Sequence, residues 1–441
     1  MSKPLLAIVG RPNVGKSTLF NKIVGKRISI SHNTPGVTRD RIYADASWCG
    51  YNFTVIDTGG IEYKSEDMMW KHIRTQAETA IEIADCIIFV VDGKGGLLPD
   101  DYTIAEMLRQ SRKPIVLAVN KLDNPFETAY EFYELGLGDP FVLSAEHNIG
   151  IGDILEEACH HLKMVEEEGE AEGIKIAVVG KPNAGKSSLV NKILGTKRTI
   201  VSEVAGTTRD AIDSPFEHNG EHYLLIDTAG IRRKRSVEED VEYYSVLRAF
   251  GAIKRADVVF IVVDAEEGLT EQDVKIAGKV HEEGKASIIV MNKWDKIEKD
   301  THTVEKFNKD LTEKLKFMDY FVPTYVSALT GKRVDKLLDE AKRVAENAKH
   351  RISTGVVNDV VMNLIAMNEP PTKNGRRLKI FFATQASVCP PTFVLFTNDS
   401  SLMHFSYLRY LENGLRESFD FSGTPIRIIV RDKTEENDYN V

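Results

Sequence analysis

One stretch, GRPNVGKSTLFN at residues 10–21, returns as GKPNAGKSSLVN at residues 180–191, and the duplication reaches far beyond this loop. Residues 4–161 and 174–345 align block by block: LLAIVG with KIAVVG, TPGVTRDR with VAGTTRDA, FTVIDTGGI with YLLIDTAGI, ADCIIFVVDGKGGL with ADVVFIVVDAEEGL, VLAVNKLD with IIVMNKWD, and VLSAE with YVSAL. The period far exceeds the roughly 50 residues of the longest solenoid units, so each copy must fold as a whole domain around its own core. Within each copy, short β-branched runs alternate with segments of helical period. That is the pattern of βα units and of a parallel sheet buried on both faces. CIIFVVD and VVFIVVD, continuous apolar runs closed by Asp, are the expected central strands.

The 441 residues suggest about three domains at roughly 150 residues each. Residues 1–163 form the first and 174–351 the second, joined by the acidic, glycine-containing MVEEEGEAEG at 164–173, which reads as a self-repelling linker. From residue 352 the pattern changes. NDVVMNLIAMN has helical spacing and PPTKNG breaks it. RRLKIFFATQAS and PTFVLFTND read as strands, SLMHFSYLRYLENGLRESF as a helix and TPIRIIVR as a last strand. A small α+β domain over 352–433 follows from this, with a polar tail at 434–441.

Composition narrows the function classes. No apolar run approaches the ~18 residues of a membrane span, and the start lacks a signal-peptide pattern. The four cysteines lie far apart without CxxC pairing, as expected of reduced thiols in a cytoplasmic protein. The CHH at 159–161 is a poor metal set, because adjacent helical residues point in different directions. A net charge of −9 argues against nucleic-acid binding over the whole surface and leaves only local basic clusters.

The duplicated loop has the spacing GxxxxGKS after a strand and before a helix. Backbone N–H groups in such a turn, with the helix N-terminus, make a cradle for phosphates. Gly10, Arg11, Pro12, Asn13, Val14, Gly15, Lys16 and Ser17 form the first cradle. Gly180, Lys181, Pro182, Asn183, Ala184, Gly185, Lys186 and Ser187 form the second. Lys16 and Lys186 are expected at the β/γ-phosphates, and the Ser17 and Ser187 hydroxyls on Mg²⁺. NKxD then identifies the base: Asn120, Lys121, Leu122 and Asp123, and Asn292, Lys293, Trp294 and Asp295. A fixed carboxylate accepts from guanine N1–H and its amine, whereas adenine would leave that carboxylate unpaired, so GTP is the expected nucleotide. Ser144 and Ala145, with Ser327 and Ala328, sit where a loop N–H would meet guanine O6. Asp57, Thr58, Gly59 and Gly60, with Asp227, Thr228, Ala229 and Gly230, would bring a carboxylate near Mg²⁺ and a glycine to the γ-phosphate. Thr38 and Thr208 fit a switch threonine that ligates Mg²⁺ only when GTP is bound.

These five elements, in one order and twice over, resemble the translation-factor-related GTPases. The tandem arrangement resembles the Der (EngA) family of bacterial ribosome-assembly GTPases over nearly the whole chain. The resemblance implies an α/β fold of two P-loop GTPase domains, each a mostly parallel sheet with helices on both faces, followed by a small α+β KH-like domain. It also implies GTP hydrolysis coupled to late maturation of the large (50S) ribosomal subunit. That subunit and its rRNA would be the partners of a protein that is monomeric off the ribosome and needs no membrane. Two other readings stay open. One is a GTPase attached to a tRNA-modifying module, although the C-terminal domain carries no reactive-cysteine or folate-like constellation. The other is a GTP-binding scaffold with little hydrolysis.

Ras-like enzymes orient the attacking water with a glutamine directly after DxxG. Here Ile61 and Ile231 stand in that place and cannot hydrogen-bond water. The resemblance implies a substitute: related GTPases with a hydrophobic residue there carry a P-loop asparagine that ligates K⁺, and Asn13 and Asn183 match it. A monovalent cation beside the phosphates would neutralise charge that develops during transfer. Asn13, Lys16 and Thr38, with Asn183, Lys186 and Thr208, are thus the expected catalytic groups. Other K⁺ ligands would come from phosphates and from carbonyls near residues 32–37 and 202–207.

KH domains usually clamp RNA with GxxG, and no two glycines between 353 and 431 stand three apart. NGRRLK at 374–379 offers a basic strand start, facing rRNA phosphates, a GTPase domain or only solvent. IRRKRS at 231–236 follows DTAG, where the first copy has the far less basic IEYKSE. Four cations in a row repel one another without an anion nearby, which favours a nucleotide-gated rRNA or partner contact over a solvated loop.

Overall fold

The computed structural model describes residues 3–25, 43–57, 77–111, 113–123, 129–167, 173–196, 198–199, 213–228, 241–370, 372–373 and 375–432. These fall into two compact units. One holds the first repeat and takes in residues 241–251 of the second, and the other holds the rest of the second repeat together with the C-terminal α+β portion.

In the first unit, β1 (Leu5–Val9), α1 (Lys16–Val24), β2 (Tyr43–Trp48), β3 (Tyr51–Asp57), β4 (Cys86–Asp92), α2 (Pro99–Ser111), β5 (Ile115–Asn120), β6 (Pro140–Val142) and α3 (Ile151–Glu167) follow in order. The sheet order is β2-β3-β1-β4-β5-β6, and only the β2–β3 pair is antiparallel. Residues alternate to the two sheet faces. Leu6, Ile8, Ile88 and Val90 enter one core with Leu19, Ile154 and Leu162, while Ala7, Val9, Phe89 and Val91 enter the other with Ile104 and Leu108. This two-sided burial explains why CIIFVVD reads as unbroken apolar sequence: all seven residues are buried. The helix α3 takes in residues 164–167 of the acidic linker, and residues 168–172 lie outside the described part.

The second repeat follows the same plan with β7 (Ile174–Val179), α4 (Lys186–Thr196), β8 (Arg198–Thr199), β9 (Ser214–His218), β10 (Glu221–Leu225), α5 (Val241–Arg255), β11 (Val258–Asp264), α6 (Glu271–Glu282), β12 (Ala286–Asn292), α7 (Thr303–Lys314), β13 (Val322–Tyr325) and α8 (Val334–Lys349). Its sheet order is β13-β12-β11-β7-β10-β9-β8. In both units the strand leading into the glycine loop lies between two parallel neighbours. The loop therefore emerges at the switch point of the sheet, where open α/β folds bind ligands.

The C-terminal portion consists of α9 (Thr354–Met367), β14 (Thr372–Lys373), β15 (Arg376–Arg377), β16 (Ile380–Ser387), β17 (Thr392–Thr397), α10 (Phe405–Ser418) and β18 (Arg427–Asp432). The strands β16 and β17 are antiparallel, and β18 lies parallel to β17. One sheet face carries Ile380, Ala383, Phe393 and Leu395 into a core with Val357 and Val361 of α9 and Leu411 and Leu415 of α10.

This portion is joined to the second repeat by backbone. Gly423 N–H donates to Tyr320 O at 2.7 Å, Ser287 N–H donates to Gly423 O at 2.7 Å, and Cys389 N–H donates to Ala348 O at 3.0 Å. Gly423 has a left-handed φ of 76°, and a Cβ there would stand 2.5 Å from a Val344 methyl. Gly423→Ala therefore combines backbone strain with overpacking and should cost about 2–3 kcal/mol. Differential scanning calorimetry should record a lower Tm for the second unit, with the first unit's transition unmoved; an unshifted second transition would show that the contact is not needed for stability.

Candidate functional site

The first cradle spans the turn between β1 and α1. Gly10 (φ 156°) and Gly15 (φ 97°) adopt backbone that favours glycine, and both are sterically enclosed. A Cβ on Gly10 would lie 2.3 Å from Val90 O, and one on Gly15 would lie 2.3 Å from Asn120 Nδ2. Lys16 is only 6% exposed and caps the turn from inside, donating to Gly10 O at 2.7 Å and Arg11 O at 2.8 Å. Burial pulls its ammonium down to about 8, against an upward pull from Asp57 and a further downward push from Arg11. Ser17 Oγ, at the start of α1, donates to Asp57 Oδ2 at 2.7 Å, so the end of β3 and the loop meet in a pair of hard oxygen donors. Arg11 is drawn aside by Asp101, Nε to Oδ2 at 3.1 Å.

The base motif joins the cradle through a buried amide. Asn120 Nδ2 donates to Val14 O at 2.8 Å, and its Oδ1 accepts from Ala145 N–H at 2.9 Å. One side chain thereby ties the phosphate loop, the end of β5 and the SAE turn together. The Ala145 N–H expected at guanine O6 is thus donated to Asn120. Lys121 has a left-handed φ of 72° and pairs with Asp92 at 2.7 Å. Asp123 lies open at the rim. It accepts from Lys94 Nζ at 2.8 Å and Ser144 Oγ at 2.9 Å, and these two hydrogen bonds hold its carboxyl below the usual range. Leu122 is buried against Gly93 beneath the motif.

The second site repeats this arrangement. Gly180 (φ 146°) abuts Val262 O, and Gly185 (φ 92°) abuts Asn292 Nδ2. Lys186 donates to Gly180 O at 2.7 Å and Lys181 O at 2.6 Å. Asn292 donates to Ala184 O at 2.9 Å and accepts from Ala328 N–H at 3.0 Å, while Lys293 pairs with Asp264 at 2.5 Å. A Ser327 hydrogen bond holds the Asp295 carboxyl below its ordinary value. Gly185, Ser188, Lys293, Asp295 and Leu329 line a cleft between the loop and the base motif. Trp294 is buried behind the cleft, 4.4 Å between ring centroids from Tyr325.

The two sites differ at the carboxylate expected near Mg²⁺. Asp57 is the last residue of β3, whereas Asp227 lies past the end of β10 with a left-handed φ of 57° and donates its N–H to Asp213 Oδ1 at 3.0 Å. Thr228 is buried, its hydroxyl 2.8 Å from that of Ser214. Pro12, Asn13, Pro182 and Asn183 stand on the outer turn of each loop. Both asparagines have left-handed backbone, φ 64° and 66°, and both are exposed. Asparagine tolerates that conformation better than most residues, so its presence has a backbone reason besides any ligand.

Thr38, Thr58, Gly59, Gly60, Ile61, Thr208, Ala229, Gly230 and Ile231 lie outside the described residues, as do IRRKRS, residues 32–37 and 202–207, and the tail at 434–441. Asp92 and Asp264, which anchor the motif lysines, were not among the expected site residues. Their signal was the Asp closing the same apolar strand in both repeats. The CHH group is dispersed: Cys159 is buried in the core, and His161 pairs with Glu157 at 3.2 Å on α3. Among the described residues, no group of three His, Cys, Asp or Glu is placed to hold a metal, and no helix is long and apolar enough to cross a membrane.

A family model described as a 50S ribosome-binding GTPase matches residues 5–121 and again residues 175–293. Another, described as the C-terminal KH-domain-like region of EngA bacterial GTPase enzymes, matches residues 351–431. The chain is similar to GTPase Der of Alkaliphilus oremlandii, 55% identical over 98% of this chain and 99% of that one. It is similar also to GTPase Der of Clostridium perfringens and of Desulfitobacterium hafniense, each 56% identical over 99% of this chain and the whole of the other. With two guanine-nucleotide modules and a KH-like third part in this order, the chain belongs to the GTPase Der family and is a GTP-binding, GTP-hydrolysing protein.

Proposed function

We propose that the chain is a two-site GTP switch acting in late assembly of the large ribosomal subunit. The observation that carries it is the duplicated base cleft, where an exposed carboxylate (Asp123 or Asp295), fixed by a serine hydroxyl, stands beside a cradle closed by an asparagine amide. Guanine N1–H and its amine bind the carboxylate. The phosphates lie along residues 10–17 and 180–187, where Lys16 and Lys186 exchange their carbonyl partners for phosphate oxygens. Mg²⁺, a hard cation, suits the hydroxyl and carboxylate that meet at Ser17 and Asp57, and Ser187 and Asp227 serve at the second site. Thr38 and Thr208 would supply further oxygens to Mg²⁺ in the GTP state.

Hydrolysis needs no glutamine in this reading. The Asn13 and Asn183 amide oxygens would hold K⁺, which would supply positive charge beside the phosphates. The subunit partnership draws on the match to the family of 50S ribosome-binding GTPases.

Asp123→Asn or Asp295→Asn should weaken GTP binding at the altered site by at least about 2 kcal/mol and admit xanthine nucleotides, which present a carbonyl where guanine has its amine. Isothermal titration with each nucleotide reads both effects, and unchanged GTP affinity would overturn the assignment. Replacing K⁺ by Na⁺ should slow turnover. Asn13→Gly and Asn183→Gly retain the left-handed turn and delete the amide, so the pair should remove the K⁺ preference; equal rates of the parent protein in KCl and NaCl would end the cation reading. Protein loaded with a non-hydrolysable GTP analogue should sediment with large subunits more than GDP-loaded protein, and less at higher salt because phosphate contacts release counterions. Equal sedimentation in the two nucleotide states would sink the switch.

A further inference from the structure

The outer face of the C-terminal sheet has the chemistry of a stacking platform. The central strand β17 sends Phe393 and Leu395 into the core, which leaves Val394, itself buried, and the half-buried Phe396 on the opposite face. Phe382 of β16 pairs in register with Phe396, and their rings stack at 4.3 Å, 9° from parallel. Arg431 of β18 pairs with Phe396 on its other side and is exposed. The row across three strands therefore reads Phe, Phe, Arg. Phe381, at the bulge in β16, is 45% exposed, and Ile429, beside Val394, is 41% exposed. A solvated face would ordinarily carry polar side chains at these positions.

The strand residues that point to this face carry no carboxylate. Among the residues of β16, β17 and β18 the single carboxylate is Asp432, in register with the inward Thr397, and its Oδ2 accepts from the Ser400 hydroxyl at 3.3 Å. Lys379 is exposed at the same sheet end, its N–H donating to Asn398 Oδ1, just past β17, at 2.7 Å. Aromatic rings flanked by cations bind any unpaired base, since every base offers a π-face and every nucleotide a phosphate. A duplex hides those faces.

We infer that this sheet face binds single-stranded RNA by stacking bases at Phe382 and Phe396, with Arg431 and Lys379 on the backbone phosphates. This gives the third domain a means of RNA contact that does not use the absent GxxG loop. The inference rests on the ribosomal reading above only for the source of the RNA.

The test is fluorescence anisotropy of a labelled, mixed-sequence 12-nucleotide RNA with the full chain and its F382L, F396L and R431Q variants. Leucine keeps the apolar bulk and removes the ring, and thermal melts confirm the fold. Each leucine variant should weaken binding about tenfold, and the matching duplex should bind at least tenfold more weakly than the single strand. R431Q should flatten the salt dependence. Equal binding by parent and leucine variants, or equal binding of duplex and single strand, overturns the inference and leaves the face to a protein partner. Sedimentation with large subunits is read separately. Loss of oligonucleotide binding in the variants of a protein that does not sediment with subunits keeps the platform and removes the ribosomal source. Sedimentation with no effect of the variants on the oligonucleotide does the reverse.

Discussion

A single buried carboxamide decides whether either nucleotide site exists. Asn120 and Asn292 each hold a phosphate-loop carbonyl with the amide nitrogen and a turn N–H with the oxygen, so three segments distant in sequence share one rigid junction. The glycine behind each junction has no room for a side chain, because the amide nitrogen stands 2.3 or 2.2 Å from where a Cβ would be. Glycine and asparagine are thus one unit. Removing the amide would leave a buried carbonyl and a buried N–H unsatisfied, at about 1–3 kcal/mol each.

Around that junction the charges are arranged so that the cleft is ready for an anion. Lys16 is buried among carbonyls that relieve its desolvation only in part, and its ammonium titrates near 8. A phosphate group would restore the full charge. At the base end the opposite holds: the aspartates stay ionised because lysine and serine donors face them, and the motif lysines are fixed by Asp92 and Asp264 at the strand ends. The fold holds these groups in place before ligand arrives, so binding exchanges hydrogen-bond partners at positions already set.

The C-terminal portion is stabilised in a different way. It has a small core of its own, yet a glycine backbone accepts and donates across to Tyr320 and Ser287, and Arg416 lies 4.9 Å over the Tyr320 ring. Tyr320 is almost wholly enclosed, which pushes its phenol far up, and its hydroxyl is 2.8 Å from His281 Nδ1. These contacts place most of the second repeat and the KH-like portion in one compact unit, although composition alone separates them at residue 352. A compositional break records where a core changes and says nothing of whether two cores share a surface.

Much of this protein was legible without coordinates. The duplication, the parallel sheets and the two nucleotide motifs follow from periodicity and spacing, because a loop that cradles phosphate tolerates few residue types at fixed positions. The third domain's strands and helix were legible for the same reason, from alternation and helical period. Tertiary structure alone decided the rest. It assigned Asn120 and Asn292 to a structural junction, brought Asp92 and Asp264 to the motif lysines, and placed Asn13 and Asn183 in left-handed backbone. It also put Phe382, Phe396 and Arg431 in one row, because strand register, which the sequence does not encode locally, sets which side chains share a sheet face.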